Sequence, residues 1–209
     1  MMNVSTSLVQ AYLHVNGYFT ATDYPLIEAV PESVPRAITD IDMLAVRLPN
    51  SAHSGHRVNT VKGPVSGETD PELHCPTDDI DMIVAEVKQG KAQVNPGARN
   101  RQALAAALAR FGCCSTREAP NLVEALLQHG RAQADNGHIL RMILFASRGD
   151  RAPRGWHWVR LDHVLQFLDT YLTTDGAVLG AVELHDHALG WLSLLQKCGF
   201  SLQQEKSIP

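Results

Sequence analysis

Three charged residues stand inside two otherwise apolar segments of the 209-residue chain. Asp42 lies early in the segment ITDIDMLAVRL, and Glu86 and Lys88 lie late in the segment DDIDMIVAEVKQG. A charged side chain within an apolar strand costs free energy unless it is paired or used. Glu86 and Lys88 are two residues apart, so in a strand they project from the same face. If the two segments pair antiparallel, Asp42 comes to lie beside both of them.

Two carboxylates and one ammonium group gathered at a strand edge have a definite chemical use. Mg²⁺ is a hard cation that binds oxygen ligands, so Asp42, Glu86 and the Val87 carbonyl form a candidate ligand set. A bound Mg²⁺ or Mn²⁺ lowers the pKa of a water ligand and neutralises a phosphodiester. Lys88 would then act as a fixed cation beside the phosphate. The alternative is a surface ion pair between Glu86 and Lys88, which contributes little to stability.

Hydrophobic periodicity predicts the elements that must position these residues. Alternation predicts a strand over residues 38–48, and a richly apolar run predicts a central strand over residues 79–87 that ends at Gln89–Gly90. An extended segment runs from Tyr18 toward Ile27, and further strands are predicted over residues 138–146 and 156–159. Helices are predicted over residues 8–15, 100–111, 121–130, 161–172 and 187–198. This order predicts an α/β (α+β) fold with a mixed sheet, in one domain.

Three of these segments carry a resemblance to a known family. NGYF (16–19), DIDMLAV (40–46) and VAEVKQGK (84–91), in this order and on these elements, resemble the PD-(D/E)xK nuclease superfamily in its restriction-endonuclease-like or Holliday-resolvase-like form. The resemblance implies an αβββαβ core with a mixed central sheet over about residues 8–146, followed by a C-terminal helical extension over residues 147–209.

The resemblance also implies residue roles. It maps the acidic residues of the family on to Asp42 and Glu86 and its lysine on to Lys88. The implied activity is hydrolysis of DNA phosphodiester bonds with Mg²⁺ or Mn²⁺, and many such proteins work as homodimers. The chain departs from the family pattern in having Ile41, rather than proline, before Asp42, and in having no acidic residue in the first helix.

The charge distribution bears on an anionic partner. The net charge of −4 divides into −7 for residues 1–81, with 4 Lys/Arg and 11 Asp/Glu, and +3 for residues 82–209, with 14 and 11. Within residues 141–160, five arginines face one acidic residue. A local basic patch is what phosphate contacts require, although a charge run is also typical of a solvated surface. Lys91, Arg99 and Arg101, which follow the Glu86–Lys88 strand, are the candidate DNA-binding residues.

Two other function classes stay open. TDIDMLAV also resembles the metal-binding strand of nucleotidyltransferases, in which Asp40 and Asp42 would hold Mg²⁺. The upstream stretch EAVPESVPRAI lacks the Gly-Ser turn that those enzymes need for the phosphates. The third class is a nuclease-like domain that binds nucleic acid or protein without catalysis, and the acidic net charge favours it.

The rest of the sequence mainly argues against other features: a zinc site, a disulfide framework, a membrane-spanning segment and a secretory signal. Residues 49–78 form a polar connection that is long for a compact domain, and its His53, His56, His74 and Cys75 match no standard zinc spacing. The four cysteines show no CxxC pair and no disulfide framework. No apolar stretch is long enough to span a membrane, and the N-terminus has no secretory signal pattern, so we expect a cytoplasmic protein.

Overall fold

The computed structural model describes residues 3–28, 36–49, 51, 69–174 and 186–200. The strands of this part of the chain are β1 (Phe19–Glu28), β2 (Arg36–Arg47), β3 (Asp81–Lys91), β4 (Arg131–Gln133), β5 (Ile139–Arg148) and β6 (His157–Arg160). Its helices are α1 (Val4–Val15), α2 (Arg101–Phe111), α3 (Ala119–His129), α4 (Leu161–Thr174) and α5 (His187–Lys197). Short 3₁₀ turns cover Pro71–Leu73 and Pro96–Arg99.

All six described strands belong to one mixed sheet in the order β1-β2-β3-β5-β4, with β6 also paired to β5. The pairs β1–β2 and β2–β3 are antiparallel, and β3–β5 is parallel. One edge of β5 changes neighbours along its length: residues 139–141 pair antiparallel with β4, and residues 143–146 pair parallel with β6. A parallel pair such as β3–β5 needs a crossover connection, which α2 and α3 supply.

Helices cover both faces of the sheet, so β3 and β5 are buried on both sides. One core packs α1, α4 and α5 against residues such as Ile83 and Phe145, and the other packs α2 and α3 against residues such as Val84 and Leu144. This explains why both strands read as continuous apolar runs rather than as alternating ones. Burial of each such side chain contributes about 1.5–3 kcal/mol.

The predicted α/β class with a mixed sheet is confirmed, and several boundaries need correction. The strand β3 does not end at Gln89–Gly90 but continues to Lys91, because the register with β5 resumes at Arg148 after an irregularity. The strand β4 was not predicted, since three residues carry too little periodicity. Helix α1 begins at Val4 because Asn3 caps it through the Ser5 N–H.

The region after residue 146 is part of the same layered fold, not only a helical extension. The strand β6 extends the sheet, and α4 buries Val164 and Leu168 in the core beside α1. None of the four cysteines is in a disulfide. No helix in the described part of the chain is long and apolar enough to cross a membrane.

Most of the long connection predicted over residues 49–78 lies outside the described residues, including His53 and His56. Its last part is anchored in the core. Asp70 is buried, caps the turn at Pro71–Leu73, and accepts hydrogen bonds from the Tyr12 hydroxyl at 2.7 Å and from His163 Nε2 at 2.6 Å. This end of the connection is therefore fixed against α1 and α4.

Candidate active site

The site begins where strands β2 and β3 stop pairing. Their last described pair at this end is Met43–Ala85, so Asp42 and Glu86 are the next residues outward on the two strands. Beyond this pair, the Val87 N–H donates to Asp42 Oδ2 at 2.8 Å. The Asp42 side chain thus takes the place of a backbone acceptor, and its position is fixed by β3 itself.

Lys88 lies between the two carboxylates. Its Nζ is 2.8 Å from Glu86 Oε2 and 3.3 Å from Asp42 Oδ2. The side chains of Lys88 and Asp42 are 23% and 26% exposed, whereas that of Glu86 is 1% exposed. The proximity predicted from the antiparallel pairing is confirmed for all three residues.

Glu86 is an incompletely satisfied buried acid. Its Oε1 has no hydrogen-bond partner in the described part of the chain, and its Oε2 contacts Lys88 without hydrogen-bond geometry. Burial raises the pKa of Glu86, and the neighbouring charge of Asp42 adds to this, although Lys88 opposes it. Burial lowers the pKa of Lys88, but the close carboxylates of Glu86 and Asp42 raise it overall. Lys88 therefore stays protonated as the local counter-ion.

Each of the two carboxylates has an oxygen that a divalent cation could bind. Glu86 Oε1 and Asp42 Oδ1 take part in none of the contacts described above. Hard cations bind carboxylate oxygens of this kind. Among the described residues no group of three or more His, Cys, Asp or Glu side chains converges to hold a metal. A cation here would thus rely on two carboxylates plus backbone or water oxygens, which is how Mg²⁺ is usually bound. The Val87 carbonyl as a third ligand stays a prediction.

A basic groove begins next to the site. It has a volume of about 1050 Å³ and lies between residues 90–94, which follow Lys88, and residues 148–154, which follow β5. Val94 lines the groove, and the backbone of the next residue, Asn95, is near enough to the Glu86 carboxylate to favour its charged form. The groove thus begins two residues after Lys88 along the chain, and Asn95, next to its lining residue Val94, lies near Glu86. Among the described residues, five cations and one acid line it: Lys91, Arg99, Arg148, Arg151, Arg154 and Asp150.

The predicted DNA-binding residues separate into two groups. Lys91 and Arg99 line the groove, and Arg99 Nη2 donates to the Arg154 carbonyl at 3.3 Å. Arg101 does not line it, because its side chain is paired with Glu124 between α2 and α3. Asp40 pairs through its backbone with Pro25, and its side chain lies outside the described residues.

Two groove residues, Gly90 and Gly149, were not among the predicted site residues. A Cβ at Gly149 would lie 2.9 Å from the Ala92 Cβ and 3.0 Å from the Trp158 ring, so a side chain there would push into the groove wall. The sequence signal that could have found this wall is the turn-forming Asn-Pro-Gly run after β3.

A second buried acid on β3, Asp81, is fully satisfied. Arg141 Nε donates to Asp81 Oδ1 at 2.8 Å and Arg141 Nη2 to Oδ2 at 2.5 Å, and the Tyr18 hydroxyl also donates to Oδ2 at 2.5 Å. Arg141 was counted with the surface arginines of residues 141–160, which was wrong, because its side chain is buried. It belongs to the structural core at the opposite end of β3.

Comparison with known proteins adds no family assignment. No protein-family model, no curated protein and no solved structure matches the chain.

Proposed function

We propose that this protein is a divalent-metal-dependent nuclease that hydrolyses DNA phosphodiester bonds at the Asp42–Glu86–Lys88 site. The observation that carries the proposal is the buried, incompletely satisfied carboxylate of Glu86 beside Asp42, on a strand whose last residues, Gly90 and Lys91, line a groove with five cations among the described residues. Buried charges with unmet partners are costly, so they point to a role for which the partner arrives with the substrate or cofactor.

The order of elements supports the same proposal. A helix, three strands, a helical crossover and a fourth strand parallel to the third follow one another as α1, β1–β3, α2–α3 and β5. This is the order that the resemblance to the PD-(D/E)xK superfamily implies. The superfamily assignment, the restriction-endonuclease-like core and a cytoplasmic location are part of the proposal.

Each residue has a role that its position permits. Asp42 and Glu86 would hold the cation through the carboxylate oxygens that do not contact Lys88 or the Val87 N–H. The bound Mg²⁺ would supply a water of lowered pKa and neutralise the charge on the phosphodiester. Lys88, which is more exposed than Glu86, would donate a hydrogen bond to a phosphate oxygen. Lys91, Arg99 and Arg154 would hold the flanking phosphates.

The test is cleavage of single-stranded, duplex and branched DNA in Mg²⁺ or Mn²⁺. We expect Lys88→Ala and Glu86→Gln each to lower the rate by about 10²-fold or more, which is typical for loss of one charged group from a preorganised site. Arg101→Gln, a charge change outside the groove, is the matched control and should cleave at the wild-type rate. Equal cleavage by wild type and Glu86→Gln would contradict the proposal.

A non-catalytic nucleic-acid-binding module is the second candidate, because the groove would bind phosphates even without a cation. Salt-dependent DNA binding without cleavage in any metal would favour it. The expectation of a homodimer remains a prediction, which light scattering on the same preparation tests.

A further inference from the structure

A second, smaller pocket lies where one edge of β5 changes its neighbour from β4 to β6. It has a volume of about 290 Å³, roughly that of ten water molecules. Its walls come from the first residues of β4 and β6, from β5, and from the end of the Pro71–Leu73 turn. In the described part of the chain, the ionisable residues that line it are all bases: His74, His129, Arg131, Arg141 and His157.

The backbone that shapes this pocket permits no side chain at two positions. Gly130 and Gly155 both have positive φ, and a Cβ at Gly130 would lie 2.7 Å from the Gly155 carbonyl oxygen. A Cβ at Gly155 would lie 2.8 Å from the Leu127 carbonyl oxygen. The seam between the ends of β4 and β6 is therefore a close backbone contact that fixes the pocket wall.

Arg141 gives the pocket a rigid hydrogen-bond donor. Its guanidinium donates to Asp81 through two nitrogens, to the Tyr18 hydroxyl, and to the Leu73 carbonyl. A guanidinium has five N–H groups, so one N–H, on Nη1, has no partner among the described residues. Because the other four bonds hold the side chain in place, this donor needs little ordering when an acceptor arrives.

Two histidines face each other beside this donor. The rings of His74 and His157 are 4.9 Å apart, and His157 Nε2 lies 2.7 Å from the Glu72 carbonyl oxygen, so this nitrogen carries the hydrogen. Burial lowers the pKa of His157, the hydrogen bond to the Glu72 carbonyl partly opposes this, and the positive charge of Arg141 lowers it further. His74 itself has φ 48°, which is uncommon for a residue with a side chain. The pocket thus brings several bases together, and the lowered pKa of His157 favours its neutral form.

We propose that this pocket binds a phosphate group, held by Arg131, by Arg141 Nη1 and by His74. Arg131 supplies the charge, since that of Arg141 is balanced by Asp81. The pocket is separate from the candidate active site. Arg141 pairs with Ile83, whereas Glu86 pairs with Leu144, and these two pairs belong to opposite faces of the sheet. The phosphate could be a free anion or monoester, or the terminal phosphate of an oligonucleotide.

The experiment is NMR titration of the His74 and His157 ring resonances in EDTA, which prevents metal-dependent cleavage and so keeps the test independent of the proposed nuclease. The probes are inorganic phosphate, and a short oligonucleotide with a 5′-phosphate or a 5′-hydroxyl, against chloride at equal ionic strength. We expect saturable shifts with phosphate. If the 5′-phosphorylated oligonucleotide binds more tightly than inorganic phosphate and its 5′-hydroxyl form does not bind, the ligand is the terminal phosphate of a nucleic acid. If inorganic phosphate binds more tightly than the 5′-phosphorylated oligonucleotide, the ligand is the free anion.

Three variants test whether phosphate binds in this pocket or to the positive charge of the surface in general. Arg131→Gln should weaken phosphate binding about tenfold or more, because it removes a charge-assisted contact. His74→Asn keeps a residue that tolerates positive φ and should also weaken it. Arg117→Gln, which changes an exposed arginine elsewhere, should bind as wild type does. Shifts that do not saturate, or that are equal in all three variants, would overturn the proposal.

Discussion

Strand β3 carries two buried acids, and their surroundings differ. Asp81 is fully buried and receives a bidentate arginine and a tyrosine hydroxyl. Glu86 is almost equally buried, but Lys88 is its one ion-pair partner among the described residues, and neither of its carboxylate oxygens has a partner there with hydrogen-bond geometry. A satisfied buried ion pair serves the fold, whereas an unsatisfied one beside an open groove is suited to bind something. Burial alone does not distinguish the two; the count of unmet acceptors does.

The largest expected effect concerns the satisfied acid. Asp81→Ala should lower the free energy of unfolding by about 3–5 kcal/mol, because it leaves Arg141 as an unpaired buried charge. Denaturant unfolding followed by circular dichroism measures this. Asp78→Ala, an exposed change nearby, is the control and should stay within about 0.5 kcal/mol of wild type. A loss below about 1 kcal/mol for Asp81→Ala would remove the contrast with Glu86.

Glu86→Gln should raise the free energy of unfolding rather than lower it, and the size of this effect should depend on pH. The folded protein raises the pKa of Glu86 above its ordinary 4.5, so between these two pKa values the folded state holds more protons than the unfolded state. The stability of the wild type then falls as pH rises through this window, and a glutamine does not titrate. We expect Glu86→Gln to gain stability relative to wild type from pH 4 to pH 8.

Urea unfolding in EDTA across this pH range measures the difference. Asp78→Asn, at an exposed acid, controls for general charge effects. A Glu86→Gln protein that becomes less stable than wild type as pH rises would show that Glu86 is a structural acid like Asp81.

The smallest expected effects concern single arginines of the groove. In EDTA, Arg151→Gln and Arg154→Gln should each weaken DNA binding and lower the slope of log affinity against log salt by about 0.9 for one lost phosphate contact to duplex DNA. Arg101→Gln should leave the slope unchanged, since Arg101 lies outside the groove beside Glu124. The same slope in all three variants would mean that DNA does not follow the groove.

The sequence predicted the elements well where periodicity is strong. The strands around Asp42 and Glu86 and the helices that begin after Asn100 and Asp186 were predicted because alternation and capping residues are local signals. The meeting of Asp42 with Glu86 followed from antiparallel pairing alone.

The partners of buried charges were not predictable in the same way. Arg141 belonged to a run of arginines in the sequence, and its pairing with Asp81 was not predicted, because nothing local shows that parallel strands place them side by side. The available signal was that each stands in an apolar run, where a charge needs a partner. The groove and the phosphate pocket depend on how the ends of several strands meet, so their shapes could not be derived from any single segment.

The most direct test of the difference between the two acids is Mn²⁺ binding to the metal-free protein, followed by calorimetry or electron paramagnetic resonance. We predict saturable binding by wild type, a loss of about tenfold or more in Glu86→Gln, and equal or tighter binding in Lys88→Ala, which removes the competing cation from between the carboxylates. Arg101→Gln should bind as wild type does. No saturable binding by wild type, or unchanged binding by Glu86→Gln, would contradict the assignment of Glu86 as a metal ligand.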